Sequence, residues 1–304
     1  MKVRQSPVIA HDACEVGLIG LGLIGTSLAK RLLGQGFRVY GYDVAPARCG
    51  DLAALGGIAV ASARAVGRTC RTVLLAVFDT PQVESVLEAK SGLEPQPGQL
   101  IICVSTCDPD AIAALAERLD ARGVRFLEAP LSGNSDQIAL GNGVAMIGGE
   151  RDAMEEAAPV LVAISKQQFY LGPVGSGGRA KLAVNLVGGL NRAVLAEGLA
   201  FAESMGLDLA AFLDVLKASA AYSRAMDTRG HKMVTSDFTP HAWLKQSLKD
   251  FQLMKTAAER VGQELPLAAL YTELIRSCMT HGEGELDNSA VIKELRRRRR
   301  PVKR

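Results

Sequence analysis

At 304 residues, with 48% hydrophobic and 22% charged residues, the chain has the composition of a globular protein and a length that suits two domains. No apolar run approaches the roughly 18 residues of a membrane span, and Met1-Lys-Val-Arg-Gln-Ser lacks the apolar stretch of a signal peptide, so a cytoplasmic location is expected. The net charge of +3 comes from the end of the chain, where Lys293 to Arg304 hold eight basic residues and one acid. The remainder is slightly acidic, and neither nucleic acid nor a membrane is an expected partner.

Up to residue 172 short apolar runs alternate with helical patterns, the order of βαβ units in a parallel sheet. Strands are expected at Val16–Ile19, Phe37–Asp43, Thr72–Phe78, Leu100–Ser105, Val124–Ala129, Gly143–Gly148 and Gln167–Leu171. Helices are expected from about Thr80 and over Pro109–Ala121. After Gly172 no strand pattern returns, and residues 179–205 read as one long, largely apolar helix, buried within its domain or in a dimer. The expected architecture is α/β: a Rossmann-type, doubly wound, mostly parallel sheet over residues 1–172, an all-helical domain over 173–295, and a solvated basic tail over 296–304.

The first strand runs into Gly20-Leu21-Gly22-Leu23-Ile24-Gly25 and then directly into a helical pattern. This is the context a dinucleotide fingerprint needs: a tight turn at Gly20, close backbone approach to the pyrophosphate at Gly22, and close helix–strand packing at Gly25. The pyrophosphate is then expected on the free N–H groups of the helix N-terminus. The second strand ends in Asp43, 18 residues after Gly25, where an acid binds the ribose hydroxyls and repels a 2′-phosphate. NAD is therefore the expected cofactor, with Arg48 close enough in sequence to leave NADP open.

A second motif, Gly172-Pro-Val-Gly175-Ser-Gly177-Gly178-Arg-Ala-Lys181-Leu-Ala-Val-Asn185, leads glycines into an apolar helix that carries one lysine and one asparagine four residues apart. Positions i and i+4 share a face, so Lys181 and Asn185 are expected in one site. A lysine among apolar neighbours loses basicity and becomes usable as an acid or base. The six cysteines are scattered without a CxxC pair, and the four histidines form no cluster, so no metal or disulfide is expected.

Taken together these segments resemble the β-hydroxyacid dehydrogenase family from about Val16 to Lys293. The family's cofactor motif is similar to Gly20–Gly25, its substrate motif to Glu128-Ala-Pro-Leu-Ser132-Gly133-Asn134, and its catalytic motif to Gly175 through Asn185. A later motif resembles Lys249-Asp250-Phe251, and the last resembles Asp287-Asn-Ser289-Ala290. The resemblance implies an NAD(P)-linked oxidation of the alcohol of a short 3-hydroxy acid, or reduction of the matching aldehyde acid, by a homodimer or homotetramer. It implies Lys181 as acid/base, Asn185 holding the reacting oxygen, and Ser132 with Gly133 on the substrate carboxylate. On the cofactor side it implies Val77, Phe78, Gln82, Thr106 and Lys249.

Three positions depart from the family pattern: Glu128 for the usual Asp, Asn134 for a Gly, and Arg224 where an aromatic residue is common. Asn134 and Arg224 are thereby expected on the substrate, Arg224 against an extra anionic or hydroxylated group. Two alternatives stand beside this reading, an imine reductase-like NADPH enzyme and a non-catalytic binding homologue; the presence of Lys181 argues against both.

Overall fold

The computed structural model describes residues 15–300. The first half runs β1 (Glu15–Ile19), α1 (Leu23–Gly34), β2 (Arg38–Tyr42), α2 (Pro46–Ala54), β3 (Ile58–Ala59), α3 (Ala63–Thr69), β4 (Thr72–Leu75), α4 (Thr80–Glu88), β5 (Leu100–Cys103), α5 (Pro109–Asp120) and β6 (Arg125–Glu128). It continues through β7 (Leu131–Ser132), α6 (Ser135–Ala139), β8 (Val144–Gly149), α7 (Arg151–Ile164) and β9 (Gln167–Gly172). The sheet order is β3-β2-β1-β4-β5-β6-β8-β7, with β9 also paired to β8. Strands β3 to β6 are mutually parallel, β8 runs antiparallel to β6 and β7, and β9 is parallel to β8. Strand order reverses between β1 and β4, and in such sheets the crevice beyond the strand C-termini at that point is where ligands bind.

The central strands read as continuous apolar runs because both faces are covered. Their period-two alternation divides two cores. Val16, Leu18, Leu74, Ile102 and Leu127 pack with Leu28 and Leu32 of α1 and Leu161 of α7. Val73, Leu75, Ile101, Cys103 and Phe126 pack with Val66 of α3, Val83 of α4 and Leu115 of α5 on the other side. Two strands lie outside the sequence pattern, β3 and β7, each two residues long and too short for a period to register. The expected strand over 72–78 stops at Leu75, and residues 76–78 turn across the crevice. β7 continues the ladder of β6 in one register along β8: Glu128 faces Gly148, Met146 N–H bonds the Pro130 carbonyl, and Leu131 faces Ala145.

The second half is helical: α8 (Ser176–Ser204), α9 (Leu209–Ala218), a π-helical turn Met226–Gly230, α10 (His231–Thr235), α11 (Leu244–Arg260), α12 (Pro266–Thr280), a 3₁₀ turn Asn288–Ala290 and α13 (Val291–Arg297). Leu182, Leu195 and Leu199 of α8 pack on Phe251, Tyr271, Ile275 and Val291, with the Phe251 and Tyr271 rings edge to face at 4.8 Å. Gly189 lets α8 approach, since a Cβ there would lie 2.5 Å from the Phe251 ring. Buried Asp287 accepts from the N–H groups of His241, Ala242 and Ser289 and from the Ser289 hydroxyl, and lies 3.6 Å from the Arg229 guanidinium.

One expectation is narrowed and a second needs correction. Within its own domain the long helix is not buried all round: Val184, Val187, Val194 and Phe201 are 44–69% exposed, forming one apolar stripe along α8, so of the two burials expected for it only a dimer would cover this face. Nor does a solvated tail begin at residue 296. Arg296 pairs with Glu203, Arg297 with Glu283 and Glu294, and Arg298 with Glu294, so carboxylates on α8, α13 and the loop after α12 hold the first arginines against the helical domain. Residues 301–304 of that tail lie outside the described residues.

α8 opens at Gly175, whose φ of +97° suits a glycine and which offers no capping side chain. The cap comes instead from β6: Glu128 accepts the N–H groups of Gly177 at 2.7 Å and Gly178 at 3.1 Å. Burial pushes the Glu128 carboxyl up, while the backbone N–H groups and the helix N-terminus oppose that shift. Replacing Glu128 with Ala leaves two buried donors without partners. Urea unfolding should show a loss of about 2–4 kcal/mol, and a loss below about 0.5 kcal/mol would refute the cap.

Candidate active site

A cleft of about 890 Å³ runs from the β1–α1 turn across the strand ends to the face of α8. At its sheet end the glycines have separate jobs. A Cβ on Gly20 would meet the Ala76 carbonyl oxygen at 2.5 Å, and one on Gly25 would meet the Gly20 carbonyl oxygen at 1.9 Å, so these two permit the tight turn and the helix contact. A Cβ on Gly22 would find only the Arg48 guanidinium, at 3.9 Å, so this position faces open cleft. Gly22 also begins α1 with no side-chain cap and no acid in the first turn, which leaves the helix N-terminus free for an anion. Asp43 is buried at the end of β2. It accepts the Leu21 N–H at 2.7 Å and the Ala45 N–H at 2.9 Å, and Arg48 lies 3.3 Å away. An open glycine turn, an uncapped helix start and a buried acid at the next strand end fit a dinucleotide.

Lys181 is buried on the opposite wall, its Nζ donating to the Leu131 carbonyl of β7 at 2.7 Å. Burial lowers its pKa to about 8; Asp250 works against the shift and Lys249 with it. One turn on, Asn185 Nδ2 donates to Asp250 Oδ2 at 2.8 Å. A carboxylate only accepts, so the amide must turn its Oδ1 away from Asp250. Asp250 Oδ1 lies 2.9 Å from Lys249 Nζ, but that ammonium aims its hydrogen bonds elsewhere, at the carbonyls of Thr106 (2.6 Å) and Phe78 (3.1 Å).

The expected residues Gly20, Gly22, Leu23, Ile24, Asp43, Val77, Phe78, Gln82, Thr106, Ser132, Gly133, Asn134, Lys181, Asn185 and Arg224 all line this cleft. Leu21, Gly25 and Lys249 do not. The Leu21 side chain is in the core, and only its N–H turns outward, to Asp43. Gly25 packs against the turn. Lys249 stands behind Phe78 and Thr106 and ties α11 to the ends of β4 and β5; it is no exposed helix lysine. Gln82 Oε1 accepts the Phe78 N–H.

Asn134 departs from expectation in part. Its Oδ1 caps α6 through the Gln137 N–H, and Gln137 Oε1 returns the bond to the Asn134 N–H, so the capping box leaves only Nδ2 for a ligand. Ser132 Oγ and the Gly133 N–H have no partner among the described residues. Arg224 sits exposed at the cleft rim without an ion pair among the described residues. Sequence reasoning missed Glu128, Asp250, Trp243 and Arg192. Asp250 lies within a motif already singled out, and Arg192 falls seven residues after Asn185, a helical period that marks the same face.

No helix among the described residues is long and apolar enough to cross a membrane. Residues 15–172 match the model of the NAD binding domain of 6-phosphogluconate dehydrogenase. Residues 175–295 match the model of the NAD-binding region of NADP-dependent 3-hydroxyisobutyrate dehydrogenase. The chain is 34% identical to an L-threonate dehydrogenase of Cupriavidus necator over 92% of its own length and 95% of that protein's. It is 29% identical to a 2-hydroxy-3-oxopropionate reductase of Escherichia coli, over 92% and 97%. A solved 3-hydroxyisobutyrate dehydrogenase from Salmonella typhimurium superposes with a TM-score of 0.85 at 30% identity, covering 92% of this chain and 99% of that one. The two models meet at the start of α8, where the nucleotide crevice and the buried lysine face each other, and the chain belongs to the β-hydroxyacid dehydrogenase family of NAD(P)-dependent oxidoreductases.

Proposed function

We propose that this enzyme oxidises the alcohol of a short 3-hydroxy acid, or reduces the matching aldehyde acid, in the cytoplasm, with NAD preferred over NADP. The observation that carries the reading is Lys181: a buried amine of lowered basicity beside Asn185, facing a crevice that fits a dinucleotide. The similar proteins named for threonate, 2-hydroxy-3-oxopropionate and 3-hydroxyisobutyrate support a short hydroxylated acid as substrate.

Ser132 Oγ and the Gly133 N–H hold the carboxylate, and the remaining Asn134 donor lies beside them. Arg224 meets the charge of the incoming acid at the rim. Gly22 and the first turn of α1, through Leu23 and Ile24, would receive the pyrophosphate, Asp43 the ribose hydroxyls, and Val77, Phe78, Gln82 and Thr106 would wall the nicotinamide end. A bound nicotinamide would supply or take up the hydride of the reaction. In oxidation neutral Lys181 accepts the hydroxyl proton, and its new charge is balanced by the Leu131 carbonyl and by Asp250. In reduction the ammonium returns that proton to the oxygen. Asn185, its amide fixed by Asp250, presents Oδ1 as acceptor to the reacting hydroxyl or to Lys181. Lys249 holds Phe78 and Thr106 in place from behind.

A pKa of about 8 keeps both forms of Lys181 available near neutrality. Oxidation needs the neutral amine, so kcat/KM should rise with pH through an apparent pKa near 8, whereas reduction should fall through it. Lys181→Met should lower turnover by about 10²–10⁴-fold with little change in NAD binding by calorimetry. The folded chain also binds fewer protons than the unfolded chain between about pH 8 and the ordinary lysine value of 10.5. Stability attributable to this residue therefore rises with pH across that window, and the rise should vanish in Lys181→Met. Full turnover in that variant would sink the assignment.

Beside Asp43 a 2′-phosphate meets a buried carboxylate that Arg48 only partly offsets. Asp43→Asn should move the NAD/NADP ratio of kcat/KM toward NADP by at least about tenfold, equivalent to 1.4 kcal/mol. Arg48→Ala should move it the other way. An unchanged ratio in both variants would refute the preference.

The apolar stripe of Val184, Val187, Val194 and Phe201 suits a second copy of the chain, and a homodimer or homotetramer is part of this proposal. Light scattering should report that assembly, and Val187→Asp combined with Val194→Asp should yield monomers. A wild-type monomer at micromolar concentration would remove this element of the reading.

A further inference from the structure

The part of the cleft beyond Asn185 carries two guanidiniums and a deficit of acid. Arg192, half-buried on α8, donates from Nε to the Tyr271 hydroxyl at 3.0 Å and from Nη2 to Ser247 Oγ at 3.3 Å. It has no carboxylate partner among the described residues, and its Nη1 makes no hydrogen bond there. Arg229, buried in the π-helical turn, donates from Nε to Asn288 Oδ1 at 2.8 Å and from Nη1 to the Thr228 carbonyl at 3.1 Å, leaving Nη2 free. Asn288 in turn sits 3.5 Å from the same Ser247 hydroxyl, so the two arginines share one polar cluster. Burial lowers the pKa of Arg229, the Asp287 carboxylate opposes that shift, and the charge of Arg192 adds to it. Asp287, 3.6 Å from Arg229, already takes four donors, so one shared carboxylate stands against two guanidiniums. The only carboxylates lining the cleft among the described residues are Asp43, at the far end, and Asp250, which takes Asn185 on one oxygen and lies 2.9 Å from the Lys249 ammonium with the other.

We infer that Arg192 and Arg229 form a second anion subsite, so that the substrate is a 3-hydroxy acid bearing a further terminal oxyanion on a branch. This rests on the hydroxyacid reading above and names the class of acid within it. The spacing sets the branch length. α8 and α11 run antiparallel here, with Asn185 against Asp250 and Arg192 against Ser247. Arg192 follows Asn185 by two turns, and its side chain leans back by about one, which puts the guanidinium roughly 5 Å beyond Asn185 along the helix. Two or three bonds from the reacting carbon cover that distance. A free terminal NH2 on each guanidinium, one half-buried and one buried, suits a carboxylate or a phosphonate equally.

Matched substrates test the subsite. 3-Hydroxyisobutyrate and 2-(hydroxymethyl)succinate share the reacting alcohol and first carboxylate and differ in a methyl or a carboxymethyl branch. Wild-type enzyme should favour the second by about tenfold or more in kcat/KM. Arg192→Met should raise KM for it by about 10- to 100-fold, leaving 3-hydroxyisobutyrate within about twofold. Arg192→Lys should recover part of the loss, with melting temperatures confirming that each variant is folded. A wild-type preference for the methyl branch, or equal losses on both acids, overturns the inference.

Binding supplies an arm that does not need turnover. Trp243 lines the cleft and is the single tryptophan of the chain, so its fluorescence reports ligands in the NAD⁺ complex. Succinate and 3-phosphonopropionate should bind more tightly than butyrate, the stronger of the two naming the oxyanion, and Arg192→Met should erase the difference. That result with no oxidation of any acid would uphold the subsite while overturning the proposed reaction. No advantage of either dianion over butyrate would overturn the subsite alone.

Discussion

The carboxylate of Glu128 closing the N-terminus of α8 is the constraint on which the site depends. α8 begins without a cap of its own, at the point where the sheet hands over to the helical domain. Two hydrogen bonds from β6 fix where its first turn sits and how it is rotated. Everything the helix carries into the cleft inherits that setting. Lys181 reaches the Leu131 carbonyl because β7 prolongs the ladder of β6, so the lysine and the cap that positions it lean on one run of chain. A misplacement of about 1 Å at a catalytic group can cost on the order of 10²-fold in rate, which is why a cap distant from the chemistry bears on it.

The sheet end of the cleft was legible in the sequence because its geometry is made by absent side chains. Gly20, Gly22 and Gly25 stand at fixed spacing, and an acid closes the next strand; none of this needs long-range information. The pairing of Lys181 with Asn185 was legible for a similar reason, since i and i+4 share a face on any helix. What could not be read is what the tertiary fold assembles. Glu128 caps a helix 49 residues away, and as a replacement for Asp it gave no hint of doing so. Lys249 looks in sequence like half of a surface Lys–Asp pair, yet it spans 143 residues to reach Thr106. Asn134 departed from the substrate motif and was therefore expected on the substrate, while the signal that its oxygen is taken, Gln137 three residues later, is local and was available.

The electrostatics follow one pattern along the cleft. The carboxylates that line it are turned to other partners, Asp43 to backbone N–H groups and Asp250 through Oδ2 to Asn185, while Asp250 Oδ1 has only the nearby charge of Lys249 and no hydrogen bond among the described residues. The cations Lys181 and Arg192 instead rest on a carbonyl and on hydroxyls, and Arg229, though 3.6 Å from Asp287, directs its hydrogen bonds to an amide and a carbonyl. Neutral acceptors orient a cation without cancelling its field. In a partly dry cleft that field remains available to an anion arriving from solvent, and it is strongest where water is most excluded.

α8 is also a helix with three of its faces in use. Lys181, Asn185 and Arg192 look into the cleft, Leu182, Leu195 and Leu199 into the core, and Val187, Val194 and Phe201 outward as an apolar stripe. On an ordinary surface helix the solvent side absorbs sequence drift at little cost. Here charge on any of these three faces disturbs chemistry, packing or association, so neutral change is confined to the positions between them, such as exposed Glu197, and new substrate preferences would have to arise chiefly on the walls that face the helix.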